Sequence, residues 1–235
     1  MQRVVLFSGG VGSSLLLYDL IEKHGFNNIT PILVHSGDTP NESTRSIALD
    51  LCNNLGVSLT MTQSRGKQFR DYSLAFWGLE MLSSAVYSIT QGGHLKGGDI
   101  GVYLGVTLDN LGDLDMVDDM CRFCSVLSQA ISGQVRLITP FKYLSRDQVI
   151  EHLRLTYDSD LDYFITETQS CELGSRCGRC DGCYRRFVTF QSTNTPKNNC
   201  RVDPESDGFR GFVSKILEGN YSTQYCKIVG EWVVR

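Results

Sequence analysis

The sequence predicts an α/β fold: an open, mostly parallel, twisted sheet with helices on both faces, followed by a C-terminal zinc knuckle. Three observations carry this. Short apolar runs alternate with longer amphipathic ones through the N-terminal two thirds of the 235-residue chain, the pattern of β-α-β units with right-handed crossovers. The first apolar run ends in a glycine and serine turn, at the carboxyl end of a strand where such sheets bind ligands. Four of the nine cysteines, Cys171, Cys177, Cys180 and Cys183, fall close together late in the chain.

Taken in order, Val4 to Phe7 is a short apolar run of the buried-strand type. A helix is expected from Ser13 to His24, because Leu15, Leu16, Leu20 and Ile21 share a face while Asp19, Glu22 and Lys23 lie away from it. Ile29 to Val34 reads as the second strand, Asn41 to Leu55 as the second helix, and the alternating Val57 to Thr62 as the third strand. Leu74 to Thr90 reads as a largely buried helix, Ile100 to Val106 as a glycine-punctuated strand, Val117 to Ser132 as a helix and Val135 to Ile138 as a short strand. Ser145 and Gln148 have capping-box spacing ahead of a helix lined by Val149, Ile150 and Leu153. The expected organisation is an α/β domain over 1–163, a four-cysteine subdomain over 164–191 and an extension of unread role over 192–235.

Composition narrows the function classes. With 22 Lys plus Arg against 26 Asp plus Glu, a formal net charge of -4 and scattered basic residues, tight binding to a nucleic-acid polymer is not expected. A hydrophobic share of 41% without a dominant biased tract excludes disordered, collagen-like and coiled-coil readings. The N-terminal apolar run is too short for a secretory core or a membrane span, so the expected location is the cytoplasm, with no membrane partner. There the odd cysteine count argues against a disulfide framework.

Phe7-Ser8-Gly9-Gly10-Val11-Gly12-Ser13-Ser14 joins the first strand to the first helix. Glycines allow close backbone approach to an anion, and successive N–H groups, hydroxyls and a helix N-terminus make a phosphate cradle. The turn lacks the Lys of a Walker A loop and the last glycine of the dinucleotide fingerprint; a turn needing glycine for geometry alone remains the alternative. Ser8 to Ser13 resembles the Ser-Gly-Gly-x-Asp-Ser loop of the N-type ATP pyrophosphatases, with Gly12 in place of Asp. The resemblance implies an adenine nucleotide alpha hydrolase-like sheet, and restoring Gly12→Asp is expected to raise turnover if the missing carboxylate limits it.

The four clustered cysteines supply soft thiolate ligands in a loop containing Gly174, Gly178 and Gly182. Four protein ligands make a closed structural zinc site; an iron–sulfur cluster is the less favoured alternative. Cys121 and Cys124 form a lone pair on an expected helix, read as packing and not as metal ligands.

Thr168-Gln169-Ser170-Cys171, Cys177-Gly178-Arg179-Cys180-Asp181-Gly182-Cys183-Tyr184-Arg185-Arg186 and Phe190 together resemble 7-cyano-7-deazaguanine synthases, the nitrile-forming enzymes of the queuosine pathway. Weaker similarities lie at Gly105-Val106, Asp109, Gly112, Cys121-Arg122, Pro140 and Leu144-Ser145-Arg146, so the resemblance spans about residues 1–191. Four departures stand out: Gly12; Phe76 to Glu80, which lacks an expected Arg and Asn; Ser36-Gly37-Asp38 in place of Tyr-Gly-Gln; and a longer, acidic segment after Asp109 with Asp113, Asp115, Asp118 and Asp119.

The resemblance implies an ATP-dependent carbon–nitrogen ligase that adenylates 7-carboxy-7-deazaguanine and uses ammonia to form the amide, then the nitrile. It implies ATP, Mg2+ and Zn2+, with the deazapurine acid and ammonia as partners; a homodimer is an expectation that the resemblance does not supply, since the sequence does not fix the oligomeric state. Phe7, Ser8, Gly9, Gly10, Val11, Gly12, Ser13 and Ser14 would surround the phosphates, with Ser8, Ser13, Asp38, Asp109 and Arg122 as candidate catalytic residues. Asp38 and Asp109 also read as plain strand-end carboxylates, and Arg122 as a surface arginine. Two alternatives stay open: a nucleotide-binding homologue without turnover, and another pyrophosphatase-loop enzyme. For the latter, His35 to Ser43 is faintly similar to phosphoadenylylsulfate reductases.

Overall fold

The computed structural model describes residues 1–36, 42–64, 74–91, 98–109, 114–157, 161–171, 176–195, 201–218 and 230. Five strands, β1 (Gln2–Leu6), β2 (Ile29–Ser36), β3 (Thr60–Ser64), β4 (Ile100–Leu104) and β5 (Val135–Ile138), form one sheet in the order β3-β2-β1-β4-β5. Every pairing is parallel. The helices are α1 (Val11–His24), α2 (Glu42–Asn54), α3 (Leu74–Gln91), α4 (Leu114–Ile131), α5 (Arg146–Thr156), α6 (Leu161–Glu167), α7 (Asp181–Ser192) and α8 (Asp207–Glu218).

Strand periodicity divides the core. Val5, Leu33 and Tyr103 point to one face, where they pack with Leu15, Leu16, Leu51, Val149 and Phe164 from α1, α2, α5 and α6. Val4, Leu6, Ile32, Val102 and Leu104 point to the other, against Leu82, Val86, Met116 and Met120 of α3 and α4. Inner strand β4, between β1 and β5, is buried throughout, as two-sided helix cover requires. Burying one Leu or Val side chain contributes about 1.5–3 kcal/mol, so these two layers supply most of the driving force for folding.

The expected strands and helices through α5 are all present, with shifted limits. β1 starts at Gln2 because Arg3 already pairs with Ile29 and Gln2 with Ile100. α1 begins at Val11, two residues before the expected Ser13, with extended Gly10 as its N-cap. β3 begins at Thr60 and not Val57, since its first ladder partner is Ile32 with Thr60. The expected start of α2 at Asn41 lies outside the described residues, which take up that helix at Glu42. The capping box opens α5: Gln148 Oε1 accepts the Ser145 N–H at 2.9 Å. Among the described residues no helix is long and apolar enough to cross a membrane.

α8 packs on α7 through Tyr184, Val188, Phe209, Phe212, Val213 and Ile216. Tyr184 meets Phe209 edge-on at 5.4 Å and Phe212 at 5.5 Å between ring centroids. The stretch from Asp207 to Glu218 is thus tied to the cysteine knuckle by an aromatic cluster. Such ring pairs contribute about 0.5–1.5 kcal/mol each beyond their area.

Candidate functional site

The strand order places the topological switch between β1 and β4, because the chain leaves β1 toward β2 on one side and β4 toward β5 on the other. Ligand crevices form at such points, and here a cavity of 530 Å³ opens. Its floor is apolar, from Leu6, Ile32, Val34, Leu104 and Val106, with Met81 and Met116 from α3 and α4. Phe7, Ser8, Gly10, Val11, Gly12 and Ser13 form one wall. Arg146, Gln169, Ser170, Cys171, Gly182 and Arg185 also line it, along with Thr44.

The loop holds its own shape. Ser13 Oγ donates to the Gly10 carbonyl at 3.1 Å and accepts the Ser8 N–H at 3.3 Å; the Ser8 and Ser13 hydroxyl oxygens lie 3.1 Å apart. Ser8 Oγ accepts the Gly10 N–H at 3.4 Å. Gly10 caps α1 without a side-chain hydrogen bond, so the partial positive charge of the helix start is not offset by a capping oxygen. Phe7 is buried, its N–H bonded to Ile32 O at 2.9 Å, and Ser14 is fully buried behind the loop. The carbonyl of Gly9 accepts the Gln169 N–H at 2.8 Å, which joins the loop to the segment leading into the knuckle.

Gly12 has a steric explanation. A Cβ at this position would stand 2.4 Å from the backbone oxygen of Gly105, and a Cβ at Gly105 would stand 2.5 Å from that of Gly12. Two glycines from the first helical turn and the end of β4 let the backbones touch across the switch point. The Gly12→Asp change, expected to raise turnover if the missing carboxylate limits it, would have to displace the Gly105 backbone to make room for its Cβ.

The remaining candidate catalytic residues separate. Asp38 lies outside the described residues. Asp109 is 2% exposed and does not line the cavity; its Oδ2 accepts the Arg146 N–H at 3.1 Å and lies 3.7 Å from Arg146 Nε. Burial pushes the Asp109 carboxyl up, opposed by the Arg146 and Arg185 guanidiniums. Arg122 sits on α4 with its side chain 82% exposed, 3.4 Å from Asp119, and it too is absent from the cavity wall. That is the surface-arginine arrangement, worth little in stability. Of the acidic segment, Asp118 pairs with Lys142 at 3.1 Å, while Asp113 lies outside the described residues.

The Sγ atoms of Cys171, Cys177, Cys180 and Cys183 all lie within 4.8 Å of one another. Thiolates around a single tetrahedral zinc, at about 2.3 Å from the metal, stand about 3.8 Å apart, so a slight contraction fits one ion. A cubane cluster spreads its thiolates over separate iron atoms and needs wider spacing. Backbone N–H groups of Cys177 and Arg179 approach Cys171 Sγ and Cys177 Sγ at 3.3 and 3.5 Å, as suits sulfur carrying negative charge. Gly178 turns the chain with φ +71°, and a Cβ there would meet Arg201 O at 2.0 Å. Cys124 packs in the core and Cys121 is exposed; neither belongs to a metal-ligand group among the described residues.

The residues that carry the family resemblance are largely structural. Arg186 is 2% exposed; it donates to Thr168 Oγ1 at 2.5 Å, Thr166 O at 2.8 Å and Ile165 O at 3.3 Å, and lies 4.2 Å from the Phe190 ring centroid. One buried guanidinium thereby ties the end of α6 to α7. At the position of the missing Arg and Asn, Gly78 lets α4 approach: a Cβ there would stand 2.5 Å from Met116 Cγ. Sequence reasoning missed Thr44, Arg146, Gln169, Ser170 and Arg185 as cavity residues. The signal that could have found them is their place beside the cysteines, Gln169-Ser170 next to Cys171 and Arg185 two residues after Cys183.

No family model matches the chain. Among solved structures, the chain is similar to the U34-tRNA thiolase NcsA of Methanococcus maripaludis, described with its 4Fe-4S cluster. The overlap has 13% identity, 100% of this chain, 72% of that one and a TM-score of 0.46. A second is the glutamine-dependent NAD+ synthetase of Acinetobacter baumannii in complex with ADP, at 10% identity, 100% of this chain, 40% of that one and a TM-score of 0.36. At these values the likeness carries nothing about chemistry.

Proposed function

We propose that the chain is an ATP-dependent ligase that adenylates a small carboxylic acid, with 7-carboxy-7-deazaguanine as the acid and ammonia as the nitrogen donor. The observation that carries this is the uncapped start of α1 with the Ser8 and Ser13 hydroxyls, set over a cavity whose floor is apolar. Such a site holds an anion at one end and packs apolar side chains against the body of the ligand at the other.

In this reading a carboxylate oxygen of the acid attacks the α-phosphorus of ATP. The bond to the bridging oxygen breaks and pyrophosphate leaves with the electron pair. Negative charge grows on the leaving group, where the N–H groups at the start of α1 are already oriented and stabilise developing charge without reorganising; the Ser8 and Ser13 hydroxyls, bonded within the loop, add donors when they turn toward it. Ammonia then attacks the acyl carbon, and AMP and a proton depart to leave the amide. A second adenylation, on the amide oxygen, releases pyrophosphate and one N–H proton to give an imidoyl adenylate, and loss of AMP with the remaining N–H proton gives the nitrile.

Among the described residues no carboxylate lines the cavity, so Mg2+ fits as part of the incoming nucleotide, held by phosphate oxygens. A zinc ion on the four cysteines would hold the knuckle together and leave no position for substrate. The test is incubation of purified protein with ATP, Mg2+, ammonium and 7-carboxy-7-deazaguanine. AMP, pyrophosphate and a product of nitrile or amide mass support the reading; ATP bound without AMP or pyrophosphate sinks it in favour of a binding module.

A further inference from the structure

Arg185 is the second residue after the last knuckle cysteine, on the first turns of α7, and it lines the cavity beside Ser170, Cys171 and Gly182. Its Nε is a buried atom with no hydrogen-bond partner, and the guanidinium makes no ion pair among the described residues. The neighbouring Arg186 is fully engaged in structure. The second cavity arginine, Arg146, is paired with Asp109, so its charge is largely balanced. Arg185 is near enough to act on the Asp109 carboxyl, which places both guanidiniums around one buried acid.

A partly buried guanidinium whose Nε has no hydrogen-bond acceptor is costly in an apolar wall. The cost is recovered when a bound anion takes the place of water, and the planar fork suits a planar, two-oxygen group. The Ser170 hydroxyl, also a buried atom without a partner, stands on the same wall and adds a donor. The phosphate-holding donors sit on the loop, so the cavity presents two separate anion sites joined by an apolar floor.

We propose that Arg185, supported by Ser170 and the Arg146–Asp109 pair, holds the carboxylate of the acid substrate. The assignment deepens the ligase reading and rests on it for the identity of that acid. Arg185 acts here as a binding and specificity residue: it distinguishes a carboxylate from the neutral amide of the same shape.

The experiment measures binding of indole-3-carboxylate and of indole-3-carboxamide to the full chain by calorimetry, each with a non-hydrolysable ATP analogue present. The wild-type protein is expected to favour the carboxylate by about tenfold. Arg185→Gln should abolish that preference and Arg185→Lys should keep part of it, with both variants retaining the wild-type melting temperature. Equal affinity for the two probes in wild type, binding of neither, or an undiminished preference in Arg185→Gln overturns the proposal. If Arg185→Gln weakens the nucleotide analogue while sparing the carboxylate, the residue is a phosphate ligand and the proposal also falls. 7-Carboxy-7-deazaguanine is run as a competitor: failure to displace indole-3-carboxylate from a site that depends on Arg185 removes the deazapurine reading and leaves the carboxylate site standing.

Discussion

The glycine loop and the cysteine knuckle meet at one cavity, yet they are held in opposite ways. The knuckle is built from side chains that satisfy one another: four convergent thiols, the buried Arg186 and the Tyr184, Phe209 and Phe212 cluster. The loop is built from backbone, with Gly12 against Gly105 and its hydroxyls bonded locally. The first leaves no valence for a ligand, and the second leaves the start of α1 uncapped. Chemistry is therefore expected at the loop, and stability is expected to depend on the knuckle.

The largest effect that could break this contrast is metal removal. Apparent metal-binding energies of about 10–16 kcal/mol in structural zinc sites match or exceed the stability of a whole domain. Elemental analysis should give about one zinc per chain, and Cys180→Ser should lose the metal and the fold of α7 together. A folded, fully metallated Cys180→Ser protein would contradict the closed site.

Next comes the loop's backbone contact. Gly12→Asp must separate α1 from β4 or tilt it, at a cost of about 3 kcal/mol or more, measurable by denaturant unfolding. A stable Gly12→Asp variant with raised turnover would show that the Gly105 contact is not what fixes this residue. Arg186→Met strips three backbone and hydroxyl acceptors of their charged donor and is expected to cost about 3 kcal/mol. The loss should appear in unfolding midpoints without altering the affinity of the loop for pyrophosphate.

A smaller effect sharpens how the loop's helix is anchored. Asp19 on α1 is buried and bonded by Tyr157 Oη at 2.9 Å and Lys23 Nζ at 2.8 Å. Tyr157→Phe should cost about 1–2 kcal/mol and leave zinc content unchanged. Smallest of all is a difference in thiol reactivity. Burial pushes Cys52 up to about 12 and Cys124 up to about 11; thiolate is scarce at both, so at pH 8 iodoacetamide should label the exposed Cys121 before either. Mapping the labelled peptides by mass checks the order.

The sheet was legible because apolar runs of strand length alternate with helical faces, although β3 itself, Thr60–Ser64, holds a single apolar residue, Met61. The strand limits were less so, since Val57 and Leu59 alternate like a strand but lie before the first rung, Ile32 with Thr60. The phosphate-loop candidate was legible as local sequence. What was hidden depends on contacts between distant residues: Gly12 read as a lost carboxylate until Gly105 came to lie against it. Arg122 and Asp109 drew attention by motif position, whereas Arg146 and Arg185 reach the cavity through the packing of α5 and α7. Only tertiary structure separates Arg185 from Arg186, one facing the cavity and its neighbour buried in the knuckle's support.

If this cavity joins a carboxylate to the α-phosphorus of ATP, an oxygen of the acid must end in AMP, and oxygen tracing follows it. The protein is given 7-carboxy-7-deazaguanine labelled with oxygen-18 in its carboxylate, with ATP, Mg2+ and ammonium, and the AMP is analysed by mass. Transfer of a labelled oxygen from the acid to AMP is the predicted result. Product formed with unlabelled AMP, or with ADP and phosphate in its place, would contradict adenylation at this site.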